Sequence, residues 1–129
     1  MKNMIAICTV FFLIGCAKLD NNTSTPNVST ADASSITSYT VITGGNIISN
    51  GGLDISAKGV VWSTINNPTI MLSTKTNEGP GSAMFTSTIT GLTANTKYFI
   101  RAYAINTKGI SYGNEISFTT RPIDFGNVT

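Results

Sequence analysis

The sequence predicts an all-β chain, a seven-stranded antiparallel β-sandwich, and three observations carry that reading. Threonine outnumbers alanine twenty to nine. Short stretches of alternating polarity recur at intervals of roughly 8 to 15 residues, with turn chemistry between them. No helical period is sustained beyond the first residues. A β-branched side chain loses rotamer freedom in a helix but packs well on a pleated sheet, so this balance of threonine and alanine favours strands. The chain of 129 residues has room for one small domain with an ordinary core and not for two.

The N-terminal segment has a different character. Met1 to Asn3 carries one positive charge, and Met4 to Ile14 is an apolar or near-apolar run of eleven residues. A bilayer span needs about 20. The run is therefore too short to cross and stay, and it fits the apolar region of a secretory signal. It closes with Leu13-Ile14-Gly15-Cys16, which resembles the lipobox of bacterial lipoproteins. The resemblance implies removal of residues 1–15, with the sulfur and the new amino group of Cys16 both acylated. Two or more acyl chains hold a protein on a membrane, each buried CH₂ contributing about 0.8 kcal/mol. The expected location is the bacterial cell envelope, the outer membrane or cell surface being favoured over the inner membrane. A competing reading is an ordinary signal cut after Ala17, which would not require a cysteine at position 16. Cys8 leaves with the signal, so Cys16 would remain as a lone thiol in an oxidising compartment, a hazard that acylation removes.

Residues 16–27 then read as the lipidated N terminus and a flexible tether, because Ala17 to Asn27 is polar and without period. Its eleven residues reach at most about 36 to 40 Å. Residues 28–120 form the domain and 121–129 a C-terminal tail. The expected strands are Val28 to Ser35, Tyr39 to Ile48, Ser56 to Ser63, Ile70 to Thr76, Ala83 to Ile89, Tyr98 to Asn106 and Asn114 to Thr120. Ser49-Asn50-Gly51-Gly52, Asn66-Asn67-Pro68 and Asn77-Glu78-Gly79-Pro80-Gly81 supply the turns, and Gly44-Gly45 is expected to be a bulge. Along Tyr98 to Ile105, one face carries Tyr98, Ile100, Ala102 and Ala104, and the other carries Phe99, Arg101, Tyr103 and Ile105. The first should be buried, because Arg101 cannot be buried cheaply. Ile116 and Phe118 turn inward by the same logic.

Gly91-Leu92-Thr93-Ala94-Asn95-Thr96-Lys97-Tyr98, followed by a strand, Asn106-Thr107-Lys108-Gly109 and a final Ser-Phe-Thr-Thr, resembles the last three strands of fibronectin type III domains. The resemblance implies that Tyr98 bonds back to the backbone near a buried Leu92, as a tyrosine corner. The family's strand-B tryptophan has no counterpart, and Trp62 falls on the third expected strand. Gly59-Val60-Val61-Trp62-Ser63-Thr64 and Tyr112-Gly113-Asn114-Glu115 are similar to modules of the major paralogous domain family of bacterial surface lipoproteins. Trp62, Leu92, Tyr98, Ile100 and Phe118 are thus expected to be structural.

Composition excludes several functions. The formal charge of +2 falls to +1 without Lys2, and the cations are scattered singly, so phosphate binding and nucleic acid are not expected. The chain has no histidine, the commonest general base and metal ligand. No nucleophile elbow, phosphate loop or calcium loop occurs. Asp54 and Glu78 fall in loops at one pole and are the only carboxyl pair of interest, since a glycosidase needs two about 5 to 9.5 Å apart; two solvated loop acids are the simpler reading. No enzyme, cofactor or metal is expected, and the domain should be monomeric. The candidate binding surface is the exposed sheet face with Phe99, Arg101 and Tyr103, together with the Asn66-Asn67 turn, for a protein or a glycan. Strand alternation puts Val28, Ser49 to Gly52, Asn77 to Gly81 and Asn106 to Gly109 at one pole, nearest the membrane. Ile65 to Thr69, Thr90 to Lys97 and the C terminus lie at the other, where a partner is expected.

Overall fold

The computed structural model describes residues 22–123 and 125. Within them, alternating sequence becomes paired strand wherever an apolar face meets the core. The strands are β1 (Asn27–Thr30), β2 (Val41–Ser49), β3 (Ala57–Ser63), β4 (Phe85–Ile89), β5 (Lys97–Asn106), β6 (Gly109–Tyr112) and β7 (Ile116–Thr119). One antiparallel sheet runs β1-β2-β4, and the other runs β3-β5 with β6 and β7 both on the far edge of β5. The fold is a fibronectin type III-like β-sandwich. β5 shows why alternation suffices: Tyr98, Ile100, Ala102 and Ala104 face inward and are buried, closing on Val41, Ile47, Val60, Phe85 and Ile89 from the other strands.

The count of seven is reached by a different route from the one the sequence suggests. Ile70 to Thr76 is not a strand; its only ladder contact is a bridge from Lys75 to Val61. Met71 and Leu72 are both exposed, so the segment lacks the in-and-out alternation a strand needs. It turns at Leu72, whose N–H donates to Thr69 O, and then runs extended along the free edge of β3. There Trp62 N–H donates to Thr74 O, Thr76 N–H to Val60 O and Glu78 N–H to Lys58 O. The seventh strand is instead β6, where the sequence predicts no strand. The first expected strand is shorter than its pattern too, ending at Thr30.

β6 and β7 are one strand interrupted at Gly113-Asn114. Tyr103 pairs with Tyr112 but Ile100 with Ile116, so two residues of β5 face three on the partner. Such a bulge leaves a ladder amide unpaired, and the opposite sheet repairs it. Ala102 N–H donates 2.9 Å to Thr30 Oγ1, and Thr30 N–H donates 3.0 Å to Asn114 Oδ1. A Cβ on Gly113 would lie 2.6 Å from Thr30 Oγ1, which is why glycine stands at the interruption.

The glycine pair Gly44-Gly45 is not a bulge. The ladder from β2 to β4 runs through both residues without a shift, and the irregularity falls opposite Ile48 instead. The pair answers crowding: a Cβ on Gly44 would sit 2.1 Å from Phe85 O, and one on Gly45 2.7 Å from the Phe85 ring.

The stretch expected as a tether is fastened to the body from Ser24 onward, where backbone groups of Ser24 are hydrogen bonded to it. Ser24 N–H donates to Gly51 O at 2.9 Å, and Ser24 O accepts from Asn106 Nδ2 at 2.8 Å. Pro26 is buried. At the other end of the described residues, Arg121 and Pro122 are exposed but hydrogen bonded to the body: Arg121 N–H donates to Thr37 O, and Pro122 O accepts from Ser38 Oγ.

Candidate functional site

The two poles of the sandwich differ in what they offer. At the N-terminal pole the turns are tied together by polar side chains. Asn106 Nδ2 also donates to Asn50 O at 2.9 Å, joining the β2–β3 turn to the β5–β6 turn over Ser24. The buried Lys58 ammonium donates to Pro80 O and Gly81 O at 2.9 and 3.0 Å, which fixes the loop before β4. The far pole, where β3 and β4 end and β5 begins, carries more of the exposed apolar surface. Of nine large hydrophobic residues exposed among those described, Tyr39, Ile65, Met71, Leu72 and Ile123 lie there.

The connection leaving β3 is laid against the outer face of its own sheet by groups far away in sequence. Arg101 Nε and Nη2 both donate to Pro68 O, at 3.0 and 2.7 Å. The guanidinium also stacks 4.2 Å from the Tyr112 ring centroid, and Tyr112 Oη accepts Ile70 N–H at 3.0 Å. Glu115 Oε2 accepts Asn67 N–H. Asn67 takes φ of 57°, a left-handed conformation that asparagine tolerates better than most residues.

This changes the reading of the candidate surface. Tyr103 is buried, at 3% exposure, and its hydroxyl donates to Thr76 O, because the segment beside β3 covers it. The expected open aromatic face with Phe99 and Tyr103 is therefore not formed. Phe99 is half-buried under the Lys97 ammonium, 5.3 Å from its ring centroid. Arg101 and Asn67 hold the connection, while Asn66 is exposed on it. Of the residues that make this arrangement, Arg101 and Glu115 sit on expected strands and Tyr112 lies between two of them, and none points to a partner in the local sequence.

A second polar seam closes the side between β3 and β4. Val60 N–H donates to Thr76 Oγ1 at 3.0 Å, Thr76 Oγ1 lies 2.9 Å from Ser87 Oγ, and Ser87 Oγ donates to Glu78 Oε2 at 2.8 Å. The serine proton goes to the carboxylate, so the threonine hydroxyl must donate to the serine. The chain of donors has one direction. Glu78 is thus engaged in holding β4, while Asp54 is exposed.

The structural residues fall as follows. Tyr98 Oη accepts Thr93 N–H at 2.9 Å, and its ring stacks on Phe118 with centroids 5.8 Å apart. Leu92 and Ile100 are buried, and Trp62 is half-buried against the core. Trp62 also lines a hollow of about 340 Å³ with Leu72, Leu92 and Tyr98. A neighbouring hollow of about 190 Å³ shares Ser63 and Leu72 with it and continues toward Asn66 and Pro68. A third, of about 460 Å³, lies between Ile36 to Ser38 and Arg121 to Ile123. Among the described residues, no group of three or more Cys, Asp and Glu side chains is placed to hold a metal ion. Cys16 lies outside the described residues.

Solved structures share this architecture. The sixth fibronectin type III domain of human fibronectin type III domain containing protein 3 aligns with a TM-score of 0.60 at 16% identity, covering 84% of this chain and 98% of that one. The sensor domain of the anti-sigma factor RsgI4 of Pseudobacteroides cellulosolvens gives 0.57 at 17%, covering 78% and 98%. A computationally redesigned β-sandwich protein gives 0.53 at 26%, also covering 78% and 98%. No family model matches the chain, and no curated protein matches it.

Proposed function

We propose that the protein is a non-enzymatic, membrane-anchored lipoprotein of the bacterial cell envelope, its sandwich serving as a spacer or as a protein or glycan interaction unit. The observation that carries this reading is the fastening of Ser24 between Gly51 and Asn106. Acyl chains on Cys16 would be joined to a fixed point on one pole by only eight residues, a reach of about 26 to 29 Å. The pole richer in exposed apolar side chains then faces away from the lipid. The same fold in a bacterial sensor domain is consistent with a module that contacts other molecules rather than transforming them.

The test is the state of Cys16. Intact mass of the membrane-extracted protein should show a chain beginning at Cys16 with thioether-linked diacylglycerol and an acylated amino group. The Cys16→Ser variant should leave the detergent phase for the aqueous one. An unmodified sulfur, or a mature chain starting elsewhere, would sink the proposal.

A further inference from the structure

The hollow at the end of β3 has an unusual lining. Its volume of about 340 Å³ lies at the lower end of the roughly 300 to 1,000 Å³ of small-ligand clefts. Three separate parts of the chain wall it: the end of β3, the extended segment beside it, and the Gly91-Leu92 corner. No side chain that is charged at neutral pH lines it. Spare hydrogen-bonding capacity is plentiful instead. Trp62 Nε1 and the hydroxyls of Thr64 and Ser73 have no protein partner among the described residues; Thr64 and Ser73 are exposed, and the half-buried Trp62 has no side-chain N atom that is both buried and unpaired. Ser63 Oγ accepts Ile65 N–H and Tyr98 Oη accepts Thr93 N–H, which leaves each hydroxyl its own proton to donate.

The geometry points to a binding site for a neutral glycan ring at Trp62. A charged ligand would give up hydration here and meet no counter-charge. A wholly apolar ligand would cover these polar groups without pairing them, at a cost for each. A polyhydroxylated ring meets both conditions, setting its C–H face on the indole and its hydroxyls against Ser63, Thr64, Ser73 and Tyr98. The site rests on the proposed envelope role only for its setting and names the partner class within it. It also replaces the sheet face that loses Tyr103 to burial.

Trp62 is the single tryptophan of the chain, so intrinsic fluorescence reports on this hollow directly. The whole chain carrying Cys16→Ser is titrated with gluco-, manno-, galacto- and chito-oligosaccharides. At least one series should change the emission saturably and shield Trp62 from acrylamide. Thr64→Ala and Ser73→Ala should each weaken that binding about two- to tenfold, with the melting temperature unchanged because both residues are exposed. The site is overturned if no series gives a saturable change, if the two alanine variants bind as tightly as the parent, or if only a proline-rich peptide shifts the emission. Loss of sugar binding in a protein whose Cys16 is acylated removes this site alone. Sugar binding by a protein that is never acylated removes the anchor alone.

Discussion

Two connections meet at the far pole and are held in opposite ways. In the corner from Gly91 to Tyr98, the fastening bond spans five residues, from Thr93 N–H to Tyr98 Oη. In the connection after β3, the bonds from Arg101, Tyr112 and Glu115 span 33, 42 and 48 residues. The first is complete once β5 has begun. The second exists only after β5, β6 and β7 are in place, so it depends on the assembled sheet. Closing such distant contacts costs more chain entropy than closing the corner. The corner should therefore behave as part of the core and the connection as an addition to it.

The strongest way to break that contrast is Tyr98→Ala. It removes a buried ring stacked on Phe118 and the acceptor for Thr93, and should cost about 3 to 5 kcal/mol of global stability. Urea denaturation checks this; a loss below about 1.5 kcal/mol would mean that the corner is not integral to the core. Thr76→Val keeps the shape of the side chain but strips the acceptor from Val60 N–H and the donor to Ser87. An expected cost of about 1 to 3 kcal/mol follows from leaving that amide unpaired, and Ser87→Ala, which keeps the Val60 bond, should cost less. Arg101→Met should cost about 1 to 1.5 kcal/mol, since the guanidinium is only half-buried. Its sharper signature is local: amide exchange should quicken at Asn67 and Ile70 while β5 stays protected. Uniform acceleration across β5 would place the connection within the cooperative core.

The same contrast explains what could be read from the sequence. β5, β7 and the corner were legible because their determinants repeat every second residue or lie within one short motif: Tyr98, Ile100, Ala102 and Phe118 announce a buried face by alternation alone. The stretch after β3 was not. Ile70-Met71-Leu72 looks like strand by composition, yet its course is set by Arg101 and Tyr112 on other strands of the same sheet. Tyr103 was misplaced for the same reason, since alternation assigns a face but does not say whether another segment will cover it. Thr30 and Asn114 illustrate the point across sheets: Thr30 pairs the amide that the bulge frees and is itself paired by Asn114, and no local pattern marks either residue as half of a pair. The Trp62 hollow shares this origin, its walls being drawn from residues 62–64, 72–74 and 91–98.

The smallest effect concerns Tyr103, and it tests the covering of that residue by the segment beside β3. Burial pushes the phenol above its ordinary value near 10, with the Glu78 carboxylate and then Tyr112 adding to the shift. In the native state the hydroxyl therefore keeps its proton at a pH where the unfolded chain has released it. Between the two values the native state binds more protons, so stability falls as pH rises. This contribution is whole below the unfolded value near pH 10 and is lost as pH climbs through the raised native one. Denaturation midpoints for the parent protein should decline on that alkaline limb more steeply than those of Tyr103→Phe. The variant should also start slightly less stable at pH 7, having lost the bond to Thr76 O. Parallel limbs would show that Tyr103 titrates as an open phenol, and that the segment along β3 lifts away in solution often enough to expose it.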